Sequence, residues 1–438
     1  MHDETSISAG RRLDAGIECS SHRESRLSRT GFPEATINQT LIVKAARSKP
    51  VANTASVDPP RNKSGTLADQ LARHTRVGTL WKPEGDRIRC VACGHRCLIA
   101  PGKRGICKVR FNENGQLRVP FGYTAGVACD PVEKKPFFHV HPGSDALTFG
   151  MLGCDFHCSY CQNWVTSQAL RDEAAVAPFQ AVTPAELIAA AQRYGARLVV
   201  SSYNEPLITA EWAVSVFQPA RAQGLLCAFV SNGNATPEAL DFLQPWLSAY
   251  KVDLKGFDDR RYRTLGGTLE QVTETIKMIR QHGIWLEVVT LVVPGFNDSP
   301  EELRAIARFL ASVSRDIPWH VTAFHPDYKM TDPRPTRVAD LMRAVEIGAE
   351  EGLHFVYAGN LPGRVGEWEN TRCPGCHATL VARYGYLIQD YKITTVGTCP
   401  HCGIRIPGLW PANGADDVRS SNDTAAYYQR LPRRVNLN

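Results

Sequence analysis

Three cysteines share one short stretch, Gly153-Cys-Asp-Phe-His-Cys-Ser-Tyr-Cys-Gln-Asn163, with the spacing C-x3-C-x2-C at Cys154, Cys158 and Cys161. Thiolates this close on one loop can reach three corners of a [4Fe–4S] cubane, for which cysteine is the usual protein ligand. The fourth iron then has no local cysteine. It is open to a cofactor whose own amino and carboxylate groups chelate it. The alternative is a structural zinc knot, which four ligands close and which would need Cys129, His139, His141 or His157 as the fourth.

Two further groups carry metal spacing. Cys90-x2-Cys93-x3-Cys97-x9-Cys107, with His95 inside it, satisfies either a structural zinc or an auxiliary iron–sulfur cluster. The small size of the surrounding module favours zinc as its staple. Cys373-Pro-Gly-Cys376 and Cys399-Pro-His-Cys402 are two C-x2-C knuckles, and Thr379–Thr395 between them reads as strands. This is the pattern of a four-cysteine zinc ribbon, either structural or docking a partner. Eleven of the fourteen cysteines fall in these three groups, so ligation is the better reading than disulfides in a chain this long. Cys19, Cys129 and Cys227 stand alone and read as small buried or incidental residues.

The elements that must position the first group follow from hydrophobic pattern. Apolar β-rich runs lie at 146–150, 197–201, 225–231, 249–254, 284–294, 319–324 and 353–358, with helical patterns between them. Thr183-Pro-Ala-Glu186 and Ser299-Pro-Glu-Glu302 read as capping boxes with Pro at the first helical position, and Thr236-Pro237 as a cap without the box. Near-continuous apolar strands separated by helices predict a parallel sheet covered by helices, as a barrel or an open sheet. In either, chemistry gathers at the C-terminal strand ends. Cys154, Asn204-Glu205, Asn232-Gly233, Asp253-Leu-Lys255 and Asn360 each follow or close such a run, so one mouth would collect them.

The C-x3-C-x2-C loop with Tyr160 before its last cysteine resembles the signature of the radical S-adenosylmethionine (SAM) superfamily. Glu133-Lys-Lys-Pro136, Cys161-Gln-Asn163, Tyr203-Asn-Glu-Pro206, Asp253-Leu-Lys-Gly256, Pro318-Trp-His320, Phe324-His-Pro326 and Val356-Tyr-Ala-Gly-Asn360 narrow it to the pyruvate formate-lyase activating enzyme-like branch. Within that branch the sequence is most similar to the radical SAM component of the AmmeMemoRadiSam system, over roughly residues 90–410. The resemblance implies an α/β radical SAM core, a partial (β/α)6-type parallel barrel, that reductively cleaves SAM to a 5′-deoxyadenosyl radical, which takes hydrogen from a small molecule or a protein residue.

It also implies that Tyr160 lies near the adenine, and that Glu205 meets the SAM amino group, although Tyr-Asn-Glu-Pro replaces the family's Gly-Gly-Glu. Asn232, Asp253 and Lys255 would border the ribose, the carboxylate or the substrate, with Asn163 and Asn204 among the cofactor contacts. His320 and His325 read equally as substrate contacts or as core histidines. A one-electron reductant such as flavodoxin or ferredoxin is implied, and Memo-like and AMMECR-domain proteins as companions. Two other readings stay open: an activase of a glycyl-radical enzyme, and a non-catalytic scaffold stapled by zinc.

The chain divides by composition into a disordered leader (1–65), an N-terminal four-cysteine module (78–142), the core (143–365), a zinc-ribbon-like module (366–411) and a flexible tail (412–438). Of the formal charge of +6, +4 falls within residues 1–76, which leaves too little elsewhere for a nucleic-acid-binding face. No run approaches a membrane span, and the first residues lack a secretory or transit pattern, so the expected compartment is the cytoplasm.

Overall fold

Residues of the apolar runs form strands because each run can bury both of its faces, one under helices and one over the interior of the sheet. The computed structural model describes residues 66–175, 177–429, 433–435 and 437. The expected leader 1–65, with Cys19, lies outside the described residues. The sheet has nine strands: β1 (Gly126–Pro131), β2 (Asp145–Gly150), β3 (Leu198–Ser201), β4 (Leu226–Ser231), β5 (Ala249–Asp253), β6 (Trp285–Val292), β7 (Trp319–Ala323), β8 (Val356–Gly359) and β9 (Arg433–Arg434). Their order is β8-β7-β6-β5-β4-β3-β2-β1-β9. Strands β2 to β8 run parallel, so a seventh strand extends the six-stranded expectation, while β1 and β9 pair antiparallel at one edge.

Side chains alternate across the strands. In β4, Cys227 and Phe229 pack under the helices, while Leu226, Ala228 and Val230 join the opposite layer with Ala146, Val200 and Ala249. That inner layer is filled by Val132, Phe137 and Val140, from the segment joining β1 to β2. The outer layer is formed by helices α1 (Pro184–Arg193), α2 (Ala210–Ala222), α3 (Pro237–Leu243), α4 (Asp259–Leu265), α5 (Leu269–Gln281), α6 (Pro300–Val313) and α7 (Val338–Glu350). Thr183 and Glu186 form the expected capping box, and Thr236 caps α3. Ser299 caps α6 without the box. Glu302 is drawn away to accept from the Phe257 amide at 2.8 Å and from Arg261 at 2.7 Å, tying α6 to the loop after β5. No helix among the described residues is long and apolar enough to cross a membrane.

The N-terminal part pairs Trp81–Glu84, Arg87–Cys90 and Leu98–Ile99 antiparallel. A hairpin of Phe111–Glu113 and Gln116–Pro120 turns at Asn114 and Gly115, both at positive φ, as the Asn-Gly pair requires of a two-residue turn. After β8, Thr371–Arg372, Thr379–Tyr384 and Leu387–Tyr391 form a three-stranded sheet.

At the N-terminal ends of β6 to β8 a buried polar network closes the floor of the sheet. Glu287, fully buried, accepts from the Phe138 and His139 amides (both 2.9 Å), Trp285 Nε1 (3.1 Å) and His320 Nε2 (2.7 Å). His139 lies between the Pro407 carbonyl and the Tyr357 hydroxyl, both at 2.6 Å, and burial pulls its pKa down to about 4. Above pH 6.5 the ring is neutral folded and unfolded. As pH falls from 6.5 toward 4 only the unfolded chain takes the proton, so this group's stabilisation is progressively lost, by about 2 kcal/mol at pH 5. Urea unfolding at pH 7 and pH 5 should therefore show wild type losing about 2 kcal/mol more than His139→Gln. Equal losses would mean that the ring does not titrate this way.

Candidate active site

The loop leaving β2 carries Cys154, Cys158 and Cys161 over the C-terminal ends of the parallel strands. Close packing fixes its path. Gly150 ends β2 where any Cβ would stand 2.6 Å from the Ser202 carbonyl, and Gly266 and Gly267, after α4, press on His157 and Phe156. Phe156 is itself buried, and its carbonyl accepts from Gln168 (3.1 Å) and Arg171 (2.8 Å). The Phe156 amide donates to Cys154 Sγ at 3.4 Å, and Cys161 Sγ lies 3.2 Å from Ser167 Oγ. Burial pushes the Cys158 thiol up to about 12, with Lys255 opposing, and raises those of Cys154 and Cys161. Buried thiols of this kind are neutral when bare, and a bound metal is the group that ionises them.

Two polar networks converge beneath the loop. In the first, Asn232 and Asn234 each donate to Asp155 at 2.8 Å, and the Asn232 amide donates to Glu205 at 2.7 Å. Glu205 also accepts from Ser231 Oγ (2.7 Å) and the Leu207 amide (3.1 Å). Burial, and then the Asp155 carboxylate, raise its pKa to about 8. Both Glu205 oxygens are therefore engaged in holding the turn after β4. Asn204 likewise accepts from the Met151 amide at 2.9 Å and fixes the end of β2.

In the second network Asp253 lies between Lys251, to which it is paired, and Lys255 at 3.3 Å. Burial raises the Asp253 carboxyl, and the two ammonium groups outweigh it and hold it below its ordinary value. Lys255 acts in turn on Cys158 and Tyr160, whose buried ring meets Phe296 edge-on. Asn163 sits apart, exposed at the start of the short helix Trp164–Ser167.

Sequence reasoning missed Asp155, Asn234, Ser231 and Lys251. The first two carry the one local signal, lying within the cysteine loop and two residues after Asn232. It also gave no role to a cluster toward the N-terminal end of β2, where Asp130, opposite Ala146, pairs with Lys134 (3.6 Å) and Lys135 and accepts from Tyr203 Oη at 3.0 Å. Burial brings Lys134 down to about 8 against the pull of Asp130. The two histidines left open now separate. His320 is a core residue bound to Glu287, and half-buried His325 lies 3.1 Å from Gln162 beside Cys161.

The sequence profile of the radical SAM superfamily matches residues 149–310, the stretch that contains the cysteine loop and strands β3 to β6. The uncharacterized protein MJ0808 of Methanocaldococcus jannaschii is 38% identical over 331 residues, 74% of this chain and 96% of that protein. The chain belongs to the radical SAM superfamily. It also matches an isethionate sulfite-lyase activating enzyme of Oleidesulfovibrio alaskensis at 29% identity, over 28% of this chain and 41% of that protein. A pyruvate formate-lyase-activating enzyme of Clostridium pasteurianum matches at 22%, over 44% of this chain and 84% of that protein. The chain is thus a radical SAM enzyme of the activating-enzyme-like branch, and its family implies a [4Fe–4S] cluster and SAM.

The residues present fit that group. Around one zinc at 2.3 Å, tetrahedral thiolates stand about 3.8 Å apart. Among the described residues only Cys373, Cys376, Cys399 and Cys402 bring such ligand atoms within 4.8 Å of one another. Cys154, Cys158 and Cys161 are more widely set, as three corners of a cubane require. Two of the four candidates for a fourth zinc ligand are engaged elsewhere: both nitrogens of His139 are at the floor, and Cys129 in β1 faces Arg433 at 3.6 Å.

Proposed function

We propose that Cys154, Cys158 and Cys161 ligate three irons of the [4Fe–4S] cluster, and that the chain takes a hydrogen atom from a substrate held at the mouth of the sheet. The observation that carries this is three thiols on one loop, Cys158 buried and Cys154 and Cys161 half-buried, set too wide for a single ion, with Cys158 and Cys161 close to the Asp253–Lys255 pair. When bound, the cluster and SAM together supply the 5′-deoxyadenosyl radical. The chain's own work is to bind, orient and exclude water. Asp253 and Lys255 present opposite charges suited to the amino and carboxylate groups of SAM, and Asn232 a side chain suited to its ribose. Tyr160 gives an apolar face for the adenine. Glu205 and Asn204 act as positioning residues, because their polar atoms hold the two strand-end turns. Asn163 would border the cofactor from the loop's exposed side.

The ribbon quartet, with Sγ pairs at 3.4 and 3.6 Å, fits one zinc. We further propose the division into modules 78–142, 143–365 and 366–411, and a cytoplasmic enzyme. A one-electron reductant of the kind radical SAM activating enzymes use would drive it. Memo-like and AMMECR-domain companions follow from the AmmeMemoRadiSam resemblance. A second reading, activation of a lyase by making a glycyl radical in it, is favoured by the names of the relatives from O. alaskensis and C. pasteurianum.

Electron paramagnetic resonance of the anaerobic, dithionite-reduced protein tests the site. A reduced-cluster signal that shifts on adding SAM, and loses that SAM-responsive part in the C154A/C158A/C161A variant, is expected. A colourless protein holding only zinc would mean a stapled scaffold instead.

A further inference from the structure

We propose that Cys90, Cys93, Cys97 and Cys107 hold a second [4Fe–4S] cluster, which accepts one electron from an acidic protein donor and hands it to the site at Cys154. The proposal rests on the reading of that site given above. The sequence allows either zinc or iron–sulfur at this quartet, and the small size of its module favours zinc. The geometry favours iron–sulfur, since the four thiols gather without the close approach of a single-ion site. The pairing of Arg89 with Leu98 sets Cys90 beside Cys97, and the Ile106 amide on Cys97 Sγ brings the Cys107 turn to them, yet among the described residues only the ribbon quartet has its thiols within 4.8 Å of one another. Backbone contacts hold the segments in place: the Cys90 amide donates to the Cys97 carbonyl (2.9 Å), the Arg96 amide to the Cys93 carbonyl (3.0 Å) and the Ile106 amide to Cys97 Sγ (3.4 Å). Four cysteine ligands leave no open iron, so such a cluster carries electrons and does not bind substrate.

Its place in the fold fits a relay. The Cys107 carbonyl lies 3.0 Å from where a Cβ on Gly153 would stand, one residue before Cys154. Arg171 clamps the two loops, donating to Ile106 (2.5 Å) and Phe156 (2.8 Å). On the outer side the quartet is bordered by Leu98 and Ile106, 38% and 40% exposed, and by exposed Lys103 and Lys108. An apolar patch with basic residues suits a small acidic donor such as flavodoxin. The electrons balance: the donor loses one, the second cluster passes from the 2+ to the 1+ state and back, and the cluster at Cys154 ends reduced by one.

The test is iron, sulfide and zinc analysis with electron paramagnetic resonance of the full chain, wild type and C154A/C158A/C161A, prepared anaerobically. Wild type should hold about eight iron and eight sulfide, and the variant about four of each with a reduced-cluster signal indifferent to SAM. A variant free of iron and carrying two zinc overturns the second cluster. If wild type then still shows a SAM-responsive signal from four iron, the reading of the Cys154 site stands while this proposal falls. For the relay, K103E/K108E should lower the ratio of flavodoxin-driven to dithionite-driven SAM cleavage about tenfold. An unchanged ratio overturns the relay.

Discussion

Arg110→Met should lose about 3–5 kcal/mol of stability, read as a lowered urea midpoint with an unchanged slope. Arg110 and Glu211 are both essentially without solvent contact and meet through two parallel bonds of 2.7 and 2.8 Å. Burial alone would discharge each. It pulls the guanidinium down and the carboxyl up, and their attraction outweighs it on both sides. Glu211 also accepts from the Thr79 and Leu80 amides, and Arg110 donates to the Ile208 carbonyl. Methionine keeps the apolar stem but leaves a buried carboxylate with only two long backbone bonds. The pair joins the N-terminal cysteine module to α2, so hydrogen exchange should rise first across residues 78–120. The R110M/E211L double variant should recover most of the loss, because a buried pair replaced by packed apolar groups is often neutral. Failure to recover would place the energy in the surrounding bonds.

Gly267→Val should abolish cluster binding at Cys154, Cys158 and Cys161 while leaving the sheet folded. A Cβ at this position would stand 2.6 Å from Phe156 Cε1 and closer still to Cζ. The ring has nowhere to swing. It is 1% exposed, edge-on to His95, and its backbone is held by Gln168 and Arg171. Relief therefore comes from shifting residues 154–158, which carry two of the three cysteines of the site. Iron content after anaerobic reconstitution should fall to about half of wild type, with the SAM-responsive paramagnetic signal lost and far-ultraviolet circular dichroism unchanged. Full iron loading in this variant would show that the loop tolerates displacement.

The sheet was legible because its signals are local. Seven apolar runs, the Thr183 and Thr236 caps and the Asn114-Gly115 turn each specify structure within a few residues, and all formed. The ribbon cysteines were legible for the same reason. What escaped depends on partners far apart in the chain. Glu287 reads as a lone charge in an apolar strand, and its meaning appears only when Phe138, 149 positions away, brings an amide to it. Arg110 and Glu211 are 101 positions apart and carry no pattern linking them. Glu302 shows the converse, a local signal overridden because Phe257 and Arg261 offered it more than its own N-cap did.

The antiparallel edge has a consequence for synthesis. Strand β1 is covered on its outer side by β9, where Arg433 and Arg434 pair with Cys129 and Ala128. About three hundred residues separate the two strands. At about 5–20 residues per second the ribosome needs roughly 15–60 s to make them, and for that interval a nascent chain presents an open edge with a free thiol on it. Unpaired edges template association with other strands. Slow translation, or a truncation that removes Arg433–Arg434, would lengthen that exposure and favour aggregation before either metal module could help.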